Sequence, residues 1–76
     1  MFNLNDSFYF VRVVDHGGFT AAARATGIAK STLAKRVGML ESELGVRLIQ
    51  RSSRRFSVTD AGKDFHRHAA AMLIEA

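Results

Sequence analysis

Residues Phe19–Leu44 read FTAAARATGIAKSTLAKRVGMLESEL and carry the clearest structural pattern in this chain of 76 residues. The alanine-rich beginning predicts a short helix, Ala21–Thr26, whose small side chains let another helix pack close to it. Gly27 follows as a turn residue, because glycine adopts the left-handed backbone that ends a helix. A second, longer helix is expected over about 30–44, with Gly45 as its stop.

The longer helix is predicted to bury one face and to expose a face of small side chains and one lysine. At 100° per residue, the core positions fall within a sector of roughly 60°; they are Leu33, Val37, Leu40 and Leu44. The opposite sector leaves room for a close approach by another molecule and holds Ser31, Lys35, Gly38 and Ser42. Two helices joined in this way predict a helix-turn-helix motif, whose second helix enters the DNA major groove.

The segment before this motif predicts one more helix. It is expected to run from Asn5 or Asp6 up to the glycine pair at 17–18. Thr20 is expected to cap the short helix that follows, because its hydroxyl can accept from an unpaired amide. Four aromatic residues are interpreted as core: Phe8, Phe10, Phe19 and Phe56.

Residues 46–59 read VRLIQRSSRRFSVT and predict two short strands around a basic turn. Four arginines lie within nine residues without an acidic residue between them: Arg47, Arg51, Arg54 and Arg55. A two-stranded hairpin has little reason to gather such repulsion unless phosphates neutralise it. Thr59 or Asp60 is then expected to cap a last helix.

The last helix is predicted to make a dimer contact. One stripe along it contains Phe65, Ala69, Met72 and Ala76, while Leu73 and Ile74 point to other sectors. A helix that is apolar on more than one face needs a second surface to cover it. The alternative is a frayed terminal helix with one surplus isoleucine.

Positive charge is concentrated where the helix-turn-helix and the hairpin lie. Between Phe19 and Val58, eight basic residues accompany two acidic ones, a local charge of +6 in a chain whose net charge is +4. Such clustering is the electrostatic pattern expected for phosphate binding. The chain has no cysteine, and no apolar run long enough for a membrane span, so a cytoplasmic protein without disulfides is expected.

The ordered set of motifs resembles the N-terminal DNA-binding domain of LysR-type transcriptional regulators. The matching stretches are FxxVVDHGGFTAAARATGI, LxxxVxxLExELGVRL, the Arg51-x-x-Arg54 pair and TDAG at 59–62. The resemblance implies a mainly α winged helix-turn-helix with three helices, a β-hairpin wing and a long C-terminal linker helix. It implies a DNA-binding domain at 1–59 and the start of a dimerising linker helix at 60–76. The effector-binding domain is expected to be absent, and with it the site for a small-molecule inducer.

One motif departs from the family pattern. Family members often carry Ser-Gln-Pro-x-Val-Ser at the start of the recognition helix, whereas this chain reads AKSTLA at 29–34. The serine cap is replaced by Ala29, and a second serine by Ala34. The base preference is therefore expected to differ from that of the relatives, while the fold is kept.

The predicted function is sequence-specific binding of double-stranded DNA by a homodimer, with the recognition helix at about 30–44 and the wing at about 47–58. The residues expected to contact bases are Lys30, Ser31, Thr32, Ala34 and Arg54. Those expected to contact phosphates are Thr20, Lys35, Arg36, Arg51, Ser53 and Arg55. For Arg51 an internal ion pair with Glu41 or Glu43 is the open alternative.

Other function classes fit the sequence less well. A winged-helix module for protein–protein interaction, without specific DNA binding, would share the fold but would not need the clustered charge. RNA binding lacks an exposed aromatic platform. His66 and His68 do not share a helix face, so no metal site is expected. No catalytic constellation, cofactor motif or membrane contact is evident, so an enzyme is not expected.

Overall fold

The computed structural model describes residues 4–52 and 54–75, with side chains described up to Leu73. This part of the chain forms four helices, and their order agrees with the sequence prediction. They are α1 (Leu4–Asp15), α2 (Phe19–Thr26), α3 (Lys30–Leu44) and α4 (Asp60–Glu75). α1 lies at the centre, because it packs against each of the other three helices.

One hydrophobic core joins all of these elements. Its buried members are Phe10, Val13, Ala22, Leu33, Val37, Leu40, Leu48 and Ile49. Two core predictions were wrong, since Phe8 is 39% exposed and Leu44 is 36% exposed. Phe8 lies on the outer side of α1, where the Arg12 guanidinium is 5.4 Å from its ring centroid. Leu44 is the last residue of α3.

The predicted glycine stops of the helices are confirmed, whereas two of the predicted polar N-caps are wrong. Gly27 and Gly45 have φ values of 77° and 72°, and each donates its amide to a carbonyl four residues earlier. The predicted Thr20 cap was wrong, because α2 already begins at Phe19 and Gly18 is its N-cap residue, without a side-chain cap. The cap predicted for α1 at Asn5 or Asp6 was also wrong, since both residues lie inside the helix.

Residues 47–58, called here the basic loop, cross from α3 to α4. The described residues contain no strand, so the predicted β-hairpin wing is not confirmed. The two arms of the loop meet at one antiparallel bridge, between Ile49 and Val58. The Gln50 amide also donates to the Ser57 carbonyl over 2.9 Å. On the other side of the bridge the Thr59 amide donates to the Leu48 carbonyl, while the Leu48 and Ile49 amides donate to the Glu41 carboxylate.

α4 begins as the sequence predicts. Thr59 Oγ1 accepts the Gly62 amide over 2.9 Å, so this threonine caps the helix. The same hydroxyl donates to the Arg47 carbonyl over 2.6 Å, which joins the cap to the start of the basic loop. Gly62 packs directly on the loop, since a Cβ there would overlap the Leu48 carbonyl oxygen. Only glycine therefore fits between α4 and the basic loop.

Candidate nucleic-acid interface

The N-terminal half of α3 presents to solvent its predicted base-contacting residues and one predicted phosphate contact, Lys35. Lys30, Ser31, Thr32, Ala34 and Lys35 are all exposed, while Leu33 between them is completely buried. Ala29 precedes the helix and gives no side-chain cap, so the first amides of α3 have no side-chain acceptor there. Hydroxyl, ammonium and methyl groups on one exposed helical face are the groups that read base edges in a major groove.

The C-terminal half of α3 holds the basic loop through one carboxylate. Glu41 is only 6% exposed, and its Oε2 accepts the Leu48 amide at 2.8 Å and the Ile49 amide at 3.1 Å. Its other oxygen, Oε1, accepts a hydrogen bond from Arg51, and Arg47 lies 3.8 Å from the same oxygen. Both oxygens of the buried carboxylate therefore accept hydrogen bonds. These bonds fix the start of the loop against the recognition helix.

Two predicted phosphate contacts already have partners within the chain. Arg51 pairs with Glu41, which is one of the two internal partners that the sequence left open. Arg36 is half-buried and lies 3.5 Å from the buried carboxylate of Asp6, across the contact between α3 and α1. These arginines brace the fold. Their contact with phosphate stays a prediction.

A cleft of about 620 Å³ lies between α2, the start of α3 and the basic loop. We call it the basic cleft, after the five cations that line it: Arg24, Lys30, Arg51, Arg54 and Arg55. Thr20 and Gln50 also line it. No role was predicted for Arg24 or Gln50 from the sequence. A single arginine on a helix does not by itself indicate a binding site in the sequence. The basic loop brings other cations to the same cleft only in the folded chain.

An apolar groove lies between α1 and α4. This groove, of about 300 Å³, is lined mainly by Leu4, Phe8, Phe65, Ala69, Met72 and Leu73. Ala69 is buried, and the Phe65 ring lies 5.9 Å from that of Phe10, so both help to hold α4 on α1. Met72 is 57% exposed. Two predicted dimer residues, the Ile74 side chain and Ala76, lie outside the described residues.

A polar contact also joins α4 to α1. His66 Nε2 lies 2.7 Å from Asp15 Oδ1, and Arg12 donates to the other oxygen of Asp15 over 3.0 Å. Among the described residues, no three potential metal ligands come together. None of the helices described here has the length and hydropathy of a membrane span.

Comparison with known proteins agrees with this architecture. A family model described as the bacterial regulatory helix-turn-helix protein, lysR family, matches residues 4–63. An HTH-type transcriptional regulator of Xanthomonas campestris is 46% identical over 73 residues, which are 96% of this chain and 21% of that protein. The regulator PtxR of Pseudomonas aeruginosa is 44% identical, again over 96% of this chain and 23% of its own length. The chain thus spans about a fifth of the curated relatives that it matches.

Solved structures give the same result. The DNA-binding domain of BenM, in a crystal structure of its complex with catB site 1 DNA, superimposes with a TM-score of 0.90. It is 36% identical to this chain, and the match covers 97% of this chain and 80% of that one. Full-length AphB of Vibrio cholerae superimposes with a TM-score of 0.89 at 31% identity, over 97% of this chain and 26% of AphB. The chain belongs to the LysR family of bacterial helix-turn-helix regulators.

Proposed function

We propose that this chain binds double-stranded DNA in a sequence-specific manner, as the DNA-binding domain of a LysR-type transcriptional regulator. The observation that carries the proposal is the exposed N-terminal half of α3, next to a cleft lined by cations. BenM, a relative in fold and sequence, is described in complex with DNA, which supports the same use of this surface.

Within this proposal, α3 enters the major groove and its first two turns read the bases. Lys30 donates to guanine or to a phosphate, Ser31 and Thr32 exchange hydrogen bonds with base edges, and Ala34 offers an apolar contact. Lys35 lies at the edge of the same face and binds the backbone. Thr20, exposed in the first turn of α2, faces the backbone from the basic cleft.

The basic loop takes the place of a wing. Arg54 and Arg55 are exposed, and no ion-pair partner is found for them among the described residues. We assign Arg54 to the minor groove and Arg55 to phosphates. Ser53, another wing residue predicted to approach DNA, lies outside the described residues.

We further propose that two copies associate through the apolar groove. Exposed Met72, Phe8 and Leu4 line it, and an exposed apolar surface of this kind marks a site of contact with another protein. Ser7 also lines the groove; this residue is 3% exposed, and its hydroxyl has no hydrogen-bond partner among the described residues. In this division, residues 1–59 bind DNA and residues 60–76 begin the dimerising helix, so that a dimer reads two half-sites.

The remaining properties follow from the family. The protein is proposed to act in the cytoplasm as a regulator, without a cofactor or catalysis of its own. Any response to a small-molecule inducer is assigned to the part of the relatives that this chain does not match.

A selection from randomised duplexes tests the function. The chain is expected to enrich one half-site and to bind it in fluorescence anisotropy with an affinity that falls steeply with salt. Lys30→Ala is expected to weaken binding, while Lys63→Ala, an exposed lysine on α4, serves as the control. Enrichment of no sequence, with weak binding even at low salt, would support the protein-interaction alternative instead.

Sedimentation velocity tests the dimer. Wild-type chain is expected to show a mass that rises with concentration up to hundreds of micromolar, and Met72→Lys is expected to keep it monomeric. A wild-type monomer mass that is independent of concentration over this range would refute the dimer contact without affecting the DNA proposal.

A further inference from the structure

Arg24 is an exposed residue in the second turn of α2 for which the proposed function above has no role. It lines the basic cleft together with Lys30 at the start of α3 and with Arg54 and Arg55 of the basic loop. Three separate elements of the fold therefore bring cations to one concave surface. These residues are distant in sequence, so no helix periodicity explains their convergence.

The charges in this cleft are not compensated within the described part of the chain. None of the residues that line it is acidic, and Arg51 is the one lining cation with an ion-pair partner among the described residues. Elsewhere the described arginines pair readily, as Arg12 does with Asp15 and Arg67 with Asp64. Four unpaired cations in one cleft repel each other, and a bound anion removes this repulsion.

The shape of the cleft favours an extended anion. Its volume of about 620 Å³ is open to solvent and runs from the backbone of Gly17 and Gly18 to the loop. The base-reading face of α3 starts at Lys30, at the border of this cleft. A phosphodiester strand beside the bases read by α3 is an extended anion that fits this cleft. Guanidinium groups bind phosphate through two parallel hydrogen bonds.

We propose that Arg24 binds a backbone phosphate of duplex DNA, and that the basic cleft holds the strand beside the bases that α3 reads. This inference rests on the proposed function and assigns it an additional contact. Arg24 supplies affinity that is independent of base sequence, and it keeps the N-terminal end of α3 in register with the groove.

Arg24→Ala tests the contact, measured as the affinity for a selected and an unrelated duplex over a series of salt concentrations. Loss of one phosphate contact is expected to lower the log–log salt slope by about 0.9, which corresponds to about eightfold weaker binding at 0.1 M salt. The loss is expected to be equal for both duplexes. Arg24→Lys keeps the charge and is expected to restore most of the slope.

Arg67→Ala is the matched control, because Arg67 is an exposed arginine on α4 outside the cleft. It is expected to keep the wild-type slope, and circular dichroism should give the same Tm for all variants within about 2 °C. An Arg24→Ala slope equal to those of wild type and Arg67→Ala would overturn the contact while leaving the proposed function intact. Absence of salt-dependent DNA binding by the wild type would overturn both.

Discussion

The two ends of α3 differ in how far their polar groups are satisfied by the protein itself. At the N-terminal end, Ala29 provides no cap, and no ion pair holds Lys30 or Lys35 within the described residues. At the C-terminal end, the buried Glu41 accepts two backbone amides and an arginine, and Gly45 closes the helix. One helix thus combines an open end that is available to a ligand with a closed end that belongs to the scaffold.

This difference assigns DNA recognition to the N-terminal end of α3 and support of the fold to its C-terminal end. The closed end fixes the basic loop, and α4 presses on the same loop from the other side through Gly62. The open end contributes little to the fold beyond Leu33, so its exposed side chains are free to vary with the DNA sequence. Substitutions at the closed end are therefore expected to change stability, and those at the open end to change DNA affinity.

The largest effect is expected from Glu41→Ala. The change leaves the Leu48 and Ile49 amides without their acceptor and removes the partner of Arg51, so we expect a loss of about 3 kcal/mol in the free energy of unfolding. Chemical denaturation followed by circular dichroism measures it. Asp64→Ala removes an exposed ion pair and should cost no more than about 0.5 kcal/mol. Equal stabilities of the two variants would refute the supporting role of the closed end.

Gly62→Ala is expected to cost about 2 kcal/mol, because the added methyl group would overlap the Leu48 carbonyl and the Val58 side chain. Gly38→Ala is the matched control within α3. Nothing lies within 4 Å of a Cβ at Gly38, so the better helix propensity of alanine should raise stability by about 1 kcal/mol. Thermal unfolding measures the stability of both variants. An increase in stability for Gly62→Ala would contradict the packing of α4 on the loop.

A pair of hydroxyl deletions compares the two ends of α3 directly. Thr32 and Ser42 are both exposed, one at each end. Thr32→Ala is expected to weaken binding to the selected half-site about tenfold, since it removes a contact to a base edge. Ser42→Ala should leave the affinity unchanged. Anisotropy titrations at one salt concentration compare them, and equal losses would mean that α3 does not read DNA through its N-terminal half.

The smallest expected effect is an increase in stability. Ala29→Ser gives α3 the side-chain cap that it lacks and should raise the free energy of unfolding by about 0.5–1 kcal/mol. Thermal unfolding checks the gain. A destabilised variant would show that residue 29 cannot adopt the geometry of a cap and that the open end is fixed by other contacts.

The sequence predicted the helical frame well because its signals are local. The apolar stripe of α3 from Leu33 to Leu40, the stop at Gly45 and the Thr59 cap each depend on a few neighbouring residues, and the structure has all three. The Thr20 cap failed because the preceding glycine pair turns the chain sharply enough for Phe19 to be helical already.

The parts that could not be predicted depend on contacts between distant residues. Glu41 pairs with Arg51, and its carboxylate also accepts the Leu48 and Ile49 amides, in the part of the basic loop where the first of the two strands was predicted. The role of Arg24 could not be predicted for the same reason, since Arg54 and Arg55 line the same cleft only in the folded chain.

The central claim is that the open end of α3 and the basic cleft form one DNA-binding surface. Amide chemical-shift mapping of the ¹⁵N-labelled chain, titrated with its selected duplex, tests it most directly. We expect the largest shifts at 20–24, 30–35 and 50–55, and small ones at Glu41 and around Met72. Shifts concentrated along the apolar groove, with the N-terminal half of α3 unaffected, would contradict the account.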